Sequence, residues 1–506
     1  ASPEFSSVWI DSPLVNTLHR LILLVISLPL AGSGCAQVSM RGATETTTAA
    51  TGDWSHDANV PGVATENELQ RWWNLLDDPA LVETIGRALE QSPTLAEARE
   101  RLDIARARRR LESANSRPSL DGFASRERSE TGDEGFVLGG ALPGAEVDIY
   151  SLGAGFEWES DLWGRADGLI GAAEADVSAA REDLRAARVA LVAEVAQELY
   201  RLRAHRLDLE AVDAFVEEDR ETLAVLEARF SAGVATELDV EKARVTLAST
   251  LALRPSISSA ARETEIRLAV LVGEPPQEFS SQTGGLPSGY ILPELGVPAS
   301  LLLRRPDIRG ALYEVEAARL RASSARAERF PSISLSGTFA LQGTDVGAMT
   351  NPNASILTIG QSLVLPLFDR REIQARITEA EGNERIALIG LQSTVLAALS
   401  EVERAAVTRE ASARRAEALA RAIEAASRSE ALARERYVSG IGDYLDIADA
   451  RRSRLELVRD ELRARRDELI GLVDLYGALG GGWDPISDEG YPEIPVTFST
   501  QPADDR

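Results

Sequence analysis

Histidine and cysteine are scarce in this chain of 506 residues. There are three histidines, His19, His56 and His205, and one cysteine, Cys35. The histidines lack the spacing of metal ligands, so we expect no zinc site, and a single cysteine forms no internal disulfide. The sequence also lacks a P-loop, a dinucleotide-binding fingerprint and a nucleophile elbow. These absences predict a protein without metal, cofactor or enzyme activity.

Positive charge is in short supply as well. The chain has 54 Lys and Arg residues against 80 Asp and Glu residues, which gives a net charge of −26. Proteins that bind nucleic acid need a basic surface to neutralise phosphates. We therefore expect no nucleic-acid partner.

Proline is missing from two long stretches, between Pro143 and Pro255 and between Pro366 and Pro485. In the first stretch, apolar residues follow each other in steps of seven, four and three: Leu184, Leu191, Val195, Leu202, Leu209, Val216, Leu223, Leu226 and Phe230. This spacing predicts one helix from Arg165 to Ala232, roughly 100 Å long at 1.5 Å per residue. So long an apolar stripe needs a coiled-coil or tubular partner to cover it.

The N-terminal part is typical of an exported protein. The apolar run from Leu21 to Leu30 is too short to cross a bilayer and suits a signal peptide. It is followed by small residues and Cys35, as in bacterial lipoproteins, although Gly32 stands where an aliphatic residue is usual. We predict an export signal over residues 1–35, ending at a lipidated Cys35, and a flexible tether over 36–65. The alternative is an ordinary secretory signal with an incidental cysteine.

The remainder of the chain contains an internal repeat. Pro93 and Pro118 match Pro306 and Pro331 at an offset of 213 residues, and the glycines of two short turns match at an offset of 207. The order of elements is the same in both copies. We place the first copy at 66–280, a linker rich in proline and glycine at 281–300, the second copy at 301–484 and a tail at 485–506.

Each copy also contains two extended segments in which apolar and polar residues alternate. They lie near 118–128, 148–159, 331–343 and 354–366. Segments of about ten residues with this alternation are typical of transmembrane β-barrels. Four strands are too few for a barrel, because the smallest single-chain barrels have about eight strands and open edges are costly in lipid. Several chains must therefore share one barrel, with eight strands from two chains or twelve from three.

Five motifs in these copies resemble the TolC/OprM family of outer-membrane channels, in particular its lipoprotein efflux branch of the NodT type. They are LQRWWNLLDDPALVETIGRALEQSPTL, LLLRRPDI, ERFPSISLSG, LPLFDR and RYVSGIGDYLDIADARRSRL, and the resemblance covers about residues 70–483. It implies a mainly α-helical fold with a β-barrel part. Three chains would form a twelve-stranded outer-membrane barrel, continued into the periplasm by an α-helical barrel with a small mixed α/β equatorial domain.

The resemblance also implies partners and a location. The protein would be a homotrimer in outer-membrane lipid, both lipid-anchored and membrane-spanning, and it would extend into the periplasm. There it would meet a periplasmic adaptor protein and a proton-driven, RND-type inner-membrane pump. Its function would be that of an exit duct for small molecules such as drugs. Two alternatives stay open: a duct for type I protein secretion, and a soluble periplasmic coiled-coil scaffold.

The two glycine turns have a specific role in such a channel. Gly233 and Gly440 each stop a helix, and Thr236 and Asp443 are good N-caps for the helix that follows. The resemblance implies that these turns lie at the periplasmic tip and contact the adaptor. Taken alone, each pattern equally predicts an ordinary antiparallel helical hairpin.

Near the second turn, Leu445, Asp449 and Arg452 are spaced to share one helix face. The resemblance implies that these residues constrict the closed tip as a periplasmic gate. Without the resemblance, Asp449 and Arg452 would form an ordinary surface ion pair worth about a few tenths of a kcal/mol.

Overall fold

The structure is a computed structural model that describes residues 69–130, 146–281, 284–287, 289–293 and 304–483. The predicted export signal, the predicted lipidation site Cys35, the tether and the C-terminal tail lie outside the described residues, as does half of the linker at 281–300.

Seven α-helices of eight or more residues occur in the described residues. We number them α1 to α7 in chain order: Pro79–Gln91, Pro93–Asn115, Arg165–Ser231, Glu237–Val272, Pro306–Ala327, Arg370–Val438 and Tyr444–Ala478. Short 3₁₀ helices lie at Trp72–Leu76, Val346–Thr350 and Pro352–Ala354. The matched prolines explain several boundaries, because proline is favourable at the first helical position and cannot continue a helix. Pro93 and Pro306 begin α2 and α5, and Pro118 and Pro331 directly precede strands.

The very long helices predicted from the sequence are present. α3 has 67 residues and α6 has 69, so each is about 100 Å long. Pro255 lies inside α4, which continues to Val272. The helix loses one backbone hydrogen bond there, because proline has no N–H group. α3 and α4 form the first hairpin, and α6 and α7 form the second hairpin.

Four strands form one antiparallel sheet in the order β1-β2-β3-β4: Ser119–Glu130, Glu146–Ser160, Ser332–Gly343 and Ser355–Val364. The register confirms the predicted alternation, because Leu120, Phe156, Gly337 and Ile359 lie side by side across all four strands. One face of the sheet therefore carries Leu152, Ala154, Trp158, Ile333, Leu335, Phe339, Leu341, Leu357 and Leu363 as well. The opposite face is mostly polar, with Phe123, Val147, Ile149, Ile356 and Val364 as its large apolar residues.

Glycine allows the sheet to bend in its centre. A Cβ atom built on Gly153 would overlap the carbonyl oxygen of Phe339 and the backbone of Ala340 on the neighbouring strand. Glycine at such a close approach permits the strong coiling that a barrel wall requires.

The main core lies where the N-terminal segment packs against the middle of α3 and the C-terminal ends of α4 and α7. Trp72 stacks on Tyr476 of α7 with ring centroids 5.1 Å apart, and Trp73 is also buried. Asp78 accepts a hydrogen bond from the backbone of Leu81 at the start of α1 and forms a buried, bidentate ion pair with Arg203 of α3. The N-terminal segment is thus anchored by both apolar burial and charge.

Candidate functional site at the helix tips

The first glycine turn connects α3 and α4. α3 ends at Ser231, and Gly233 has a φ of 74°, a conformation that side chains with a Cβ rarely adopt. Thr236 then caps α4: its hydroxyl accepts a hydrogen bond from the backbone N–H of Asp239, whose carboxylate accepts one from the backbone N–H of Thr236. This reciprocal capping box makes the start of α4 well defined.

The second glycine turn repeats the same geometry between α6 and α7. Gly440 has a φ of 77°, and the backbone N–H of Ile441 donates to the carbonyl oxygen of Arg436. The carboxylate of Asp443 accepts a hydrogen bond from the backbone N–H of Leu445 at 3.3 Å. Both predicted N-caps, Thr236 and Asp443, therefore begin a helix after a left-handed glycine.

The fold brings the two turns together. Five buried side chains form an apolar cluster just behind them: Leu226, Val240, Ala243, Tyr444 and Ile447. At its edge the ammonium group of Lys242 lies 3.9 Å from the carboxylate of Asp443. Beyond the cluster, large apolar side chains of the turns, including Val234 and Ile441, are exposed. The four helix ends thus form one composite tip with an apolar surface.

The predicted gate residues line a groove between α4 and α7. Leu445, Asp449 and Arg452 share one face of α7, opposite Leu238 and Val245 of α4, and the groove has a volume of about 600 Å³. Arg452 donates a hydrogen bond to Asp449 at 3.1 Å, and these side chains are 68% and 56% exposed. Such an exposed pair contributes little to the stability of a single chain.

One central residue of the tip was not found by the sequence analysis. The Arg451 side chain is only 4% exposed, and it donates hydrogen bonds to Glu430 of α6 and to Asp219 of α3. Burial opposes its positive charge, but the hydrogen bonds to Glu430 and Asp219 outweigh this and raise the pKa of Arg451. The available signal was its spacing, since Arg451 falls midway between the buried residues Ile447 and Leu455 on one helix face.

Comparison with known proteins decides the family. The family model described as outer membrane efflux protein matches residues 84–274 and 297–481. The chain belongs to the outer membrane efflux protein family. The model matches twice, once in each half of the chain, and each match overlaps one of the two proposed copies of the internal repeat.

Individual relatives support this family membership over most of their length. The chain is 28% identical to a solvent efflux pump outer membrane protein, SrpC of Pseudomonas putida, over 80% of this chain and 86% of that protein. It is 26% identical to nodulation protein T of Rhizobium leguminosarum bv. trifolii, over 83% of this chain and 89% of the relative. Among solved structures, the outer-membrane channel OprN has a TM-score of 0.79 with 29% identity and coverages of 86% and 97%. VceC of Vibrio cholerae has a TM-score of 0.74 with 26% identity and coverages of 82% and 99%.

Membership in the efflux protein family confirms the mainly helical fold with a β-barrel part and the location in the outer membrane, extending into the periplasm. The protein is an outer-membrane efflux channel and thus a transport protein. The exposed apolar face of its sheet then faces lipid. At the end of the sheet nearest the helices, Trp163 stacks on Phe330 and Phe368 is 95% exposed, as expected for aromatic residues at a membrane interface.

Proposed function

We propose that this efflux protein is the exit duct of a tripartite pump. It takes small molecules such as drugs from a periplasmic adaptor and an RND-type inner-membrane pump and passes them out of the cell. The duct is a homotrimer whose twelve strands form one barrel. Its periplasmic end is gated by Leu445, Asp449 and Arg452, and the turns at Gly233, Thr236, Gly440 and Asp443 contact the adaptor.

The open sheet is the observation that carries this proposal. Among the described residues, β1 and β4 each pair with only one strand. An unpaired backbone group in lipid costs several kcal/mol, so a four-stranded sheet with an apolar face cannot span a membrane alone. Pairing β1 of one copy with β4 of the next removes every edge, and three copies give the twelve strands expected from the resemblance.

The helices also support the association of several copies. α6 exposes Ile386, Ile389 and Leu396, and α2 exposes Ile104 and Leu111. By composition α6 contains one mostly exposed stretch that is apolar enough to cross a membrane. Because the whole helix is about 100 Å long, far more than the ~30 Å of a bilayer core, a neighbouring copy is the better explanation for this surface.

The small-molecule cargo is supported by the names of the relatives. They include efflux pump proteins for solvent, toluene and antibiotics. Adaptor contact at the tip is supported by the exposed apolar side chains of Val234 and Ile441, since an exposed apolar patch commonly marks an interaction surface.

The gate is tested by the double substitution Asp449→Ala with Arg452→Ala. We expect it to raise the conductance of the purified channel in planar bilayers, because it removes the ion pair between Asp449 and Arg452. Within the described residues, neither side chain forms another ion pair. The matched control is Glu217→Ala with Arg220→Ala on α3, an exposed pair with the same i, i+3 spacing and an N–O distance of 2.5 Å.

The two variants separate the possible outcomes. Unchanged conductance in the Asp449/Arg452 variant would argue against a gate at these residues. An equal increase in the control would mean that loss of any surface pair loosens the tip. A purified protein that is monomeric in water without detergent would refute the duct as a whole.

A further inference from the structure

A small pocket lies along α7 next to the groove of the proposed gate residues, and Arg459 lines both. The pocket is enclosed by α3, α4 and α7 and has a volume of about 210 Å³. This is less than the ~300–1,000 Å³ of pockets that hold drug-sized ligands, so the pocket suits a small ligand. The polar side chains of its lining come from all three helices: His205 and Asp208, Ser256, and Arg459, Arg463 and Arg466.

The pocket is basic, although the chain as a whole has a net charge of −26. Arg459, Arg463 and Arg466 follow each other at i, i+4 and i+7, which places all three on one face of α7. Among the described residues of the lining, Asp208 is the only acidic one, and a bidentate ion pair with Arg459 neutralises it, with an Nε–O distance of 2.7 Å. The lining therefore keeps an excess of positive charge, and like charges at this spacing repel each other.

The three arginines also have hydrogen-bond donors that the chain does not use. Arg459 and Arg466 each bind one carboxylate through Nε and one Nη, and Arg463 binds one carboxylate through one Nη. Each guanidinium therefore keeps at least one Nη without a hydrogen-bond partner in the part of the chain that the structure describes. Guanidinium groups form strong, charge-assisted hydrogen bonds with carboxylate and phosphate oxygens. The unused donors are thus suited to an anion.

His205 completes the pocket on the side of α3. Its imidazole has no hydrogen-bond partner among the described residues. Burial and the positive charge of Arg466 lower the pKa of His205, and Arg267 of α4 acts in the same direction, whereas Asp208 and Glu198 of α3 oppose them. The imidazole is therefore mostly neutral at about pH 7. An anion in the pocket would favour the protonated imidazole, which donates from both ring nitrogens.

We propose that this pocket binds a small organic anion through its carboxylate or phosphate group. The oxygen atoms of the anion accept hydrogen bonds from the unused Nη groups of Arg459, Arg463 and Arg466, and a protonated His205 adds a fourth positive charge. Because α3 and α4 belong to the first hairpin and α7 belongs to the second, a bound anion stabilises the contact between the hairpins at this level. The proposal goes beyond the exit duct and depends on neither its gate nor its cargo.

Radiolabelled sulfate is the first probe, because its charge does not change over the pH range in which histidine titrates. Its binding to the purified channel in detergent is measured by equilibrium dialysis, and we expect saturable binding of one sulfate per chain at about pH 5.5. Displacement by succinate or by methyl phosphate then shows whether a carboxylate or a phosphate group fits better. A lack of saturable sulfate binding, or a lack of displacement by both organic anions, would overturn the proposal.

A matched pair of arginines on α7 tests where the anion binds. Arg463 is 48% exposed and pairs with Asp460 on its own helix, so its replacement leaves the core intact. We expect Arg463→Gln to weaken sulfate binding by about tenfold, because a hydrogen bond to a charged group is typically worth at least this factor. The control is Arg465→Gln, because Arg465 is 50% exposed, pairs with Glu461 on the same helix and lies outside the lining.

The control variant should bind sulfate within about twofold of the unsubstituted protein, because it loses the same charge outside the pocket. An equal loss of affinity in both variants would mean that sulfate responds only to the overall charge of the helix, and this would overturn the proposed site. Size-exclusion chromatography of both variants confirms first that the assembled channel is compared.

The pH dependence tests the part of His205. Sulfate affinity should rise by about tenfold from about pH 8 to about pH 5.5, because His205 becomes positively charged over the acidic part of this range. In His205→Gln the affinity should vary by less than about twofold over the same range. An affinity of the unsubstituted protein that does not depend on pH, or a dependence that persists in His205→Gln, would overturn the assignment of His205 to the site.

Discussion

Two neighbouring residues of β4 provide a direct test of which sheet face meets lipid. Ile359 is the fifth of the ten residues of this strand, and its side chain lies on the apolar face, 70% exposed in the single chain. Thr358 precedes it and points to the polar face, opposite Thr338 of β3. We expect Ile359→Arg to prevent stable insertion and Thr358→Arg to be tolerated, although both place the same charge at nearly the same depth.

The size of the difference follows from position in the strand. An arginine on the lipid face of a transmembrane barrel costs about 2–4 kcal/mol near the bilayer midplane and about 0–1 kcal/mol near the interfaces. Ile359 is in the middle of β4, so the larger value applies, and three copies in one barrel would lose about 6–12 kcal/mol together. At Thr358 the arginine would face the water-filled interior and would pay little of this cost.

The assay is the yield of heat-resistant trimer in the outer membrane, supported by refolding of the purified chain into lipid vesicles over a urea series. Whole-cell levels of the unfolded chain are measured in parallel to separate insertion from expression. The reasoning is refuted if Thr358→Arg is as damaging as Ile359→Arg, or if both variants insert normally. Either result would mean that the two faces do not differ in environment.

Two further predictions concern the anchoring of the chain. Asp78→Asn keeps the helix cap but removes the charge that faces Arg203, so we expect a loss of about 3–5 kcal/mol in the free energy of unfolding, measured as a lower thermal unfolding temperature. Asp78→Asn combined with Arg203→Met should lose less stability than Asp78→Asn alone, because no buried charge is then left unpaired. An equal or larger loss in the double variant would contradict this explanation. Cys35→Ser should abolish the lipid adduct detected by mass spectrometry on the mature N-terminus and leave trimer conductance intact, and a wild-type protein without that adduct would show that Cys35 is incidental.

The strands show how far sequence patterns reach and where they stop. β3 and β4 alternate so regularly that their faces could be assigned from the sequence alone. β1 alternates less clearly, because Arg126 and Arg128 occupy the face that is apolar elsewhere in the sheet. In the structure these arginines pair with Asp148 and Glu146 of β2 at the end of the sheet far from the helices. The register between β1 and β2 therefore places an acidic residue beside each arginine. The periodicity within one strand carries no information about this register.

The tip shows the same division. The glycine stops and the N-caps at Thr236 and Asp443 are local features, because a left-handed residue and a capping side chain act on the nearest few backbone groups. Arg451 could not be singled out, because its partners Asp219 and Glu430 lie 232 and 21 residues away in the chain. Arginine is so common in the neighbouring sequence that Arg451 does not stand out from the other arginines of α7.

Sequence patterns are sufficient to predict the long helices, the repeated order of elements, the alternating strands and the turn chemistry, since all of these depend on spacings of a few residues along one backbone. Three-dimensional packing, in contrast, defines which hairpin faces meet, which charges are buried and which are exposed, and that the sheet has two open edges within the described part of the chain. Those properties depend on the free energy of burying side chains from distant segments against each other, and that energy is defined only once the helices and strands are packed.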